Sequence, residues 1–126
     1  MRNIATHQSV NDCNKKIEIF VKDEPNAAGA NNWYEIGWGD ALENKTCVNQ
    51  VYLRFQEGDP NVVGVTGVTN EALLAVLIDR FEGFQSGPFK CEENQEVLND
   101  LTHAIQILAC RSKKRIERNV EGRQVP

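Results

Sequence analysis

The segment around which the chain is organised is Phe84-Gln85-Ser86-Gly87-Pro88-Phe89-Lys90-Cys91-Glu92-Glu93-Asn94. Gly87 and Pro88 lie at its centre, with Phe84 and Phe89 on either side. Glycine favours turns and proline cannot continue a helix, so this stretch predicts a bend. Apolar residues recur at helical spacing on both sides of it, which predicts a two-helix hairpin with the bend at its tip.

The segment before the bend predicts a helix over residues 70–85. Thr69 or Asn70 can cap its N-terminus, and Glu71 in the first turn complements the helix dipole. Gly87-Pro88 is expected to end it. Its apolar residues follow one stripe and its neighbour: Leu73, Leu77, Phe81 and Phe84, then Leu74 and Ile78.

The segment after the bend predicts a second helix from about Glu92 to Arg118. Its packing seam follows steps of four and three residues: Asn94, Leu98, Leu101, Ile105 and Leu108. Arg111, Arg115 and Arg118 keep the same spacing, so the three guanidinium groups are expected on one face. Because two helices cannot cover both apolar stripes alone, we expect the hairpin to mediate oligomerisation.

The first half of the chain is β-rich. Residues 1–14 show no periodicity and are predicted to form a loosely held arm. Alternation and β-branched residues predict four short strands over residues 16–22, 33–38, 48–55 and 62–68. The expected fold class is therefore α+β. A small N-terminal antiparallel β-sheet (domain 1–68) precedes the C-terminal two-helix hairpin (domain 69–126).

Composition excludes several classes of protein. The 126 residues contain no apolar run long enough for a membrane span, and the N-terminus lacks an apolar signal core. We therefore expect a cytoplasmic protein. Residues 111–126 hold six bases and two acids, a net charge of +4, which leaves −8 on the first 110 residues. An acidic body argues against a nucleic-acid polymer as the partner of the whole protein.

The cysteines and histidines form no recognisable metal site. Cys13, Cys47, Cys91 and Cys110 are far apart in the sequence and include no Cys-x-x-Cys pair. We expect reduced thiols, no metal and no cofactor, although the sequence leaves a disulfide open. No motif of a hydrolase, P-loop or dinucleotide-binding protein is present, and His103 is interpreted as an ordinary helix residue. A non-enzymatic protein is therefore expected.

Binding is the better-supported interpretation. An aromatic ring at Phe84 can stack on a base, which contributes about 1–3 kcal/mol. Asn94 can add directional hydrogen bonds, and Arg111 and Arg115 can pair with phosphate. Arg111 follows Asn94 by 17 residues, about 25 Å along a straight helix, so one pocket would need two chains whose helices run antiparallel. From these residues alone, a core role for Phe84 and a solvated basic helix end remain open.

A resemblance to known proteins is stronger than these arguments. Residues 80–94, together with 111–122, resemble the hairpin shared by two phage counter-defence families, the anti-Thoeris sponge and the anti-CBASS sponge. Residues 21–26 and 30–34 resemble the anti-Thoeris family. The resemblance covers roughly residues 16–123.

The resemblance implies that the protein sequesters cyclic ADP-ribose isomers (glycocyclic ADP-ribose) made by bacterial TIR proteins, without cleaving them, in the cytoplasm of the host bacterium. It implies hexamers built from dimers, with the ligand pocket at the dimer interface, and separate sites for cyclic di- or trinucleotides. A second site is predicted at Gly29, Ala30 and Asn31, where small residues let a ligand approach the backbone, and a plain solvent loop stays open as the alternative. The ligand-binding residues that it implies, with their neighbours on the bend and the arginine face, are Phe84, Asn94, Arg111, Arg115, Phe89 and Arg118.

Two other functions stay open at this point. A cyclic-nucleotide hydrolase would convert the ligand, yet the sequence offers no convincing catalytic group. A structural or DNA-associated phage protein would bind duplexes through residues 111–123 with strong salt dependence.

Overall fold

The computed structural model describes residues 1–39 and 49–119. Cys47, the first residue of the predicted third strand (Val48) and the residues after Asn119 lie outside these ranges. The chain forms two compact units. One contains the described residues of Met1–Glu57 together with Val63–Gly67, and the other contains Gly58–Val62 with the described residues of Val68–Val125.

The first unit contains a four-stranded antiparallel sheet in the order β1-β2-β3-β4. The strands are β1 (Arg2–Ile4), β2 (Ile17–Val21), β3 (Trp33–Trp38) and β4 (Asn49–Arg54). Three of these agree with predicted strands. The second unit holds the helices α3 (Asn70–Gln85) and α4 (Glu92–Glu117), which pack against each other. The predicted α+β fold, with a sheet followed by a helical hairpin, is confirmed.

Register aligns the apolar residues of the sheet on one face. Ile36 lies opposite Ile19 of β2 and Val51 of β4, and Val21 lies opposite Tyr34. These residues share a face because side chains alternate along a strand. Val21 is 1 % exposed and is the most completely buried apolar residue among those that the structure describes.

The prediction of a loosely held arm over residues 1–14 is wrong. Arg2–Ile4 forms β1 and pairs with β2, and a 3₁₀ turn (Thr6–Ser9) and the short helix α1 (Asp12–Lys15) follow. The Asn11 side chain accepts a hydrogen bond of 3.0 Å from the backbone N–H of Asn14 and caps α1. A three-residue strand is too short to show a period, so pairing with β2 supplies the order that the local sequence does not indicate.

The predicted strand over residues 62–68 is also wrong. Pro60–Val63 is instead the short helix α2. Asp59 Oδ1 accepts a hydrogen bond of 2.9 Å from the N–H of Asn61, and Pro60 suits the first turn of a helix because it lacks an N–H. Gly64 follows with a φ of 78°, in the left-handed region that favours glycine. The cap, the proline and the glycine outweigh the β-branched composition.

Both long helices lie where the sequence predicts them. The Thr69 side chain caps α3 by accepting a 3.1 Å hydrogen bond from the N–H of Ala72. At the start of α4, the Cys91 sulfur accepts one of 3.4 Å from the N–H of Asn94. The helices keep several apolar side chains at the surface of the single chain. The more exposed ones are Val76, Leu77, Phe84, Val97, Ile107 and Ile116.

The structure describes three of the four cysteines. Cys13, Cys91 and Cys110 are exposed free thiols.

Candidate ligand-binding site on the helical hairpin

The bend between α3 and α4 is braced by side-chain amides. Gln85, the last residue of α3, accepts a 3.0 Å hydrogen bond at Oε1 from the backbone N–H of Cys91. Its Nε2 donates one of 3.3 Å to Gln95 Oε1. Gln95 Nε2 in turn donates to Asn99 Oδ1 at 2.9 Å. The Gln85 amide therefore links the end of α3 to the start of α4 and holds the intervening segment in one conformation.

Asn94, the predicted amide of the site, lies at this bend. Its Nδ2 donates a 3.3 Å hydrogen bond to the carbonyl oxygen of Phe89, and its side chain is half-buried. The Phe89 ring is 76 % exposed. The structure thus brings Asn94 and Phe89 together, and it leaves an aromatic ring open to a ligand at the tip of the hairpin.

Phe84, the predicted aromatic platform, is partly open. Its ring is 38 % exposed. Phe81 lies edge to face with it, with ring centroids 5.8 Å apart and an interplanar angle of 75°. The guanidinium carbon of Arg80 lies 5.5 Å from the Phe84 ring centroid. Phe84 therefore belongs to an aromatic and cationic cluster at the end of α3.

Arg80 is the neighbour of Phe84 that sequence reasoning missed. It precedes Phe84 by four residues on α3, the spacing that places two side chains on the same helix face. That spacing is visible in the sequence. It is a weak signal beside the arginines of the C-terminal run, because an isolated arginine on a helix surface is common.

The predicted arginines lie at the other end of α4. Arg111 and Arg118 are exposed, whereas Arg115 is 7 % exposed and interacts with other groups of the protein. Of the three arginines that their spacing predicts on one helix face, Arg115 is therefore buried and the other two are exposed. Arg111 remains about 25 Å from Asn94 along the helix axis, since each residue adds about 1.5 Å. Within one chain, the hairpin separates the aromatic and amide residues from the arginines.

The predicted second site lies in an ordered loop. Asn26 Oδ1 accepts hydrogen bonds from the N–H groups of Ala28 and Ala30, at 2.9 and 3.1 Å. Gly29 has a φ of 90°, and no atom lies within 4 Å of the position that a Cβ would take. Asn31 donates at Nδ2 to Asp23 and accepts at Oδ1 from Arg2. The loop is preorganised, and most of the Asn31 amide is already committed to holding it.

The carboxylate of Asp23 accepts hydrogen bonds from residues at the end of that loop. Burial alone would raise the pKa of its carboxyl group. Hydrogen bonds from the backbone N–H of Asn32, from the Asn31 side chain and from the backbone N–H of Trp33 outweigh burial and lower the pKa below its usual 3.8. The N–H of Asn32 lies 3.0 Å from Asp23 Oδ2. The ionised carboxylate therefore stabilises this conformation of the loop.

The described residues also limit other kinds of site. Over residues 1–39 and 49–119, no group of three His, Cys, Asp or Glu side chains is arranged to hold a metal ion. In the same ranges, no helix combines the length and apolar character of a membrane span.

Comparison with known proteins points to the class of phage counter-defence proteins. The chain is 39% identical over 70 residues to "Thoeris anti-defense 1" of Bacillus phage SBSphiJ7. The alignment covers 56% of this chain and 49% of the relative, so the match spans about half of the relative's length. No family model matches the sequence. Over those 70 residues the chain is similar to this phage protein, in agreement with the resemblance seen in the sequence.

Proposed function

We propose that the protein is a phage counter-defence sponge that binds glycocyclic ADP-ribose signals made by bacterial TIR proteins and blocks Thoeris immunity without cleaving them. The name of its phage relative supports a role against Thoeris. The observation that supports this binding model is that the predicted site residues lie at opposite ends of α4. The aromatic and amide residues lie at the bend, and exposed Arg111 lies about 25 Å away.

A pocket of two chains follows from that division. Two hairpins that pack with their α4 helices antiparallel would bring the bend of one protomer to Arg111 of its partner. The apolar side chains that each hairpin exposes offer a surface for such packing; Ile107 is 54% exposed and Val76 is 59% exposed. A C₂ dimer would then have two equal pockets. Hexamers built from these dimers are part of the proposal.

Each part of the pocket has a distinct role in the proposal. Phe84 and Phe89 stack on the base, and Asn94 provides a directional hydrogen bond. Arg111 pairs with phosphate, and its charge is the same at any physiological pH. Arg118, which is exposed, completes the basic side, whereas Arg115 is 7 % exposed and contributes its charge from a buried position. Sequestration needs no catalytic group, because removing the free signal is sufficient to silence the effector that reads it. In this proposal the protein sequesters the signal in the cytoplasm of the host bacterium.

The loop at Gly29, Ala30 and Asn31 is proposed as a separate site for a cyclic di- or trinucleotide. The open space around Gly29 would let a ligand approach the backbone. Calorimetry with a cyclic dinucleotide should give the same affinity for the wild-type protein and for Phe84→Ala. A loss in Phe84→Ala would place both ligands in one pocket.

Recovery of the ligand tests sequestration directly. Purified protein is incubated with glycocyclic ADP-ribose, filtered, and heat-denatured, and the released small molecules are identified by mass spectrometry. Intact ligand is expected in the protein fraction. Converted ligand would indicate a hydrolase, and absence of retention combined with salt-sensitive duplex binding would indicate a DNA-associated protein.

Phe84→Ala tests the pocket. Binding should weaken by about 1–3 kcal/mol if the ring stacks on a base, with the oligomer intact by native mass spectrometry. Monomers in that experiment would mean that Phe84 belongs to the interface core. Gln106→Ala, an exposed change elsewhere on α4 and about 100° around the helix from Ile107, is the control for general effects on the hairpin.

A further inference from the structure

We propose that Arg80 is a ligand-binding residue of the site around Phe84, where it donates hydrogen bonds to a phosphate of the nucleotide whose base stacks on the ring. This inference rests on the proposed function and deepens it. It identifies a cation supplied by the same chain as the aromatic platform.

The position of Arg80 is set before any ligand arrives. Its guanidinium carbon lies 5.5 Å from the Phe84 ring centroid, within the range of a cation–π contact. Phe81 orients the same ring from a nearly perpendicular direction. A side chain that rests on an oriented ring loses less conformational freedom on binding than a free arginine, so the contact costs less entropy.

The hydrogen-bonding groups of Arg80 remain available. A cation–π contact uses the positive charge of the guanidinium, and its five N–H donors can still form hydrogen bonds. The Arg80 guanidinium forms no hydrogen bond or ion pair with another residue in the described parts of the chain, and the neighbouring Asp79 and Glu82 carboxylates do not pair with it. Arginine pairs with phosphate through two parallel N–H groups, which is the geometry that these donors can supply.

The local charge favours a cation at this end of the hairpin for an anionic ligand. Residues 79–96 hold five acids and two bases, a net charge of −3. A diphosphate that approaches the bend is therefore repelled by the chain that carries Phe84. Arg80 and Lys90 are the two bases of this segment, and of these Arg80 is the one that contacts the ring.

Lys90 provides a matched control. It is exposed, carries the same charge and lies in the bend, but the structure shows no contact between its ammonium group and an aromatic ring or a carboxylate of another described residue. Removing Lys90 changes the field at the bend about as much as removing Arg80 does. A difference between the two variants therefore reports on direct contact.

The test is calorimetric titration of glycocyclic ADP-ribose into wild type, Arg80→Ala, Arg80→Gln, Arg80→Lys, Lys90→Ala and Phe84→Ala. Native mass spectrometry and circular dichroism check each variant. Arg80→Ala should bind about 10- to 100-fold more weakly, as expected for lost charge-assisted hydrogen bonds. Arg80→Gln, which keeps much of the stem over the ring, should show a similar loss. Arg80→Lys should recover part of the affinity, because it restores the charge without the fork.

The outcomes separate this inference from the proposed function. Binding of Arg80→Ala and Arg80→Gln within about threefold of wild type, with Phe84→Ala impaired, would overturn the role of Arg80 alone. Equal losses in Arg80→Ala and Lys90→Ala would also overturn it, because they would show a field effect. Failure of the wild-type protein to bind would overturn the proposed function itself.

Discussion

The side-chain oxygen of Gln85 accepts a 3.0 Å hydrogen bond from the backbone N–H of Cys91 and thereby ties the last residue of α3 to the N-cap of α4. The bend is held by this amide as well as by Gly87 and Pro88. Since Phe84, Phe89 and Asn94 all lie within a few residues of this contact, the geometry of the proposed pocket depends on it.

Gln85→Ala should destabilise the hairpin. It removes the hydrogen bond from Cys91 and the one to Gln95, each worth about 0.5–1.5 kcal/mol net. Urea denaturation followed by circular dichroism measures the loss. Gln106→Ala, an exposed substitution in the middle of α4, is the control and should change stability little. Equal stability of Gln85→Ala and wild type would show that glycine and proline alone hold the bend.

Two glycines should respond to alanine in opposite directions. Gly83 lies inside α3, and no atom lies within 4 Å of the place that an added methyl group would take, so Gly83→Ala should stabilise by about 0.5–1 kcal/mol through helix propensity. At Gly67 the same methyl would collide with the carbonyl oxygen of Arg54 and lie 2.6 Å from the carbonyl carbon of Phe55. Gly67→Ala should therefore cost about 1–3 kcal/mol, as overpacking does. Thermal denaturation of both variants decides, and destabilisation by Gly83→Ala would contradict the first expectation.

Asp23→Asn should change the pH dependence of stability. The folded-state pKa of Asp23 lies below its usual 3.8, so the ionised carboxylate stabilises the folded protein above about pH 4. That contribution is lost as the pH falls through the folded pKa. Denaturation midpoints of wild type and Asp23→Asn should therefore differ most at neutral pH and converge as the pH falls through the folded pKa of Asp23. A constant difference over this range would exclude the carboxylate as the cause.

Substitution of Arg111 should affect ligand binding, and substitution of Arg115 should affect the stability of the fold. Arg111 is exposed, so Arg111→Ala should leave stability nearly unchanged and weaken ligand binding, by about 2–5 kcal/mol if its phosphate contact is buried in the complex. Arg115 is 7 % exposed, so Arg115→Ala should lower stability by about 0.5–3 kcal/mol. Calorimetric binding and urea denaturation on both variants test this. Unchanged affinity in Arg111→Ala would remove Arg111 from the pocket.

The hairpin was predictable because its signals are local. Helical spacing, the Thr69 cap and the Gly87-Pro88 breaker act within a few residues, and α3 and α4 begin and end close to the predicted positions. The separation of Asn94 from Arg111 also follows from helix geometry alone. The sequence likewise predicted three of the four strands, whose alternation is long enough to recognise.

The remaining features depend on residues that are distant in the sequence. β1 forms because Arg2–Ile4 pairs with Ile19–Val21, and a three-residue strand has no period of its own. Residues 62–68 look β-rich, but the cap at Asp59 and the turn at Gly64 impose a short helix and a loop.

Local sequence signals establish the order of sheet and hairpin, the position of the bend, and the residue types of the proposed pocket. Those properties follow from periodicity, breakers and side-chain chemistry, which act over short distances along the chain. Only the tertiary structure decided that Arg115 is buried while Arg111 is open, and that Gln85 ties α3 to α4. Burial and hydrogen-bond partners depend on which side chains the fold brings together, and no local pattern records that choice.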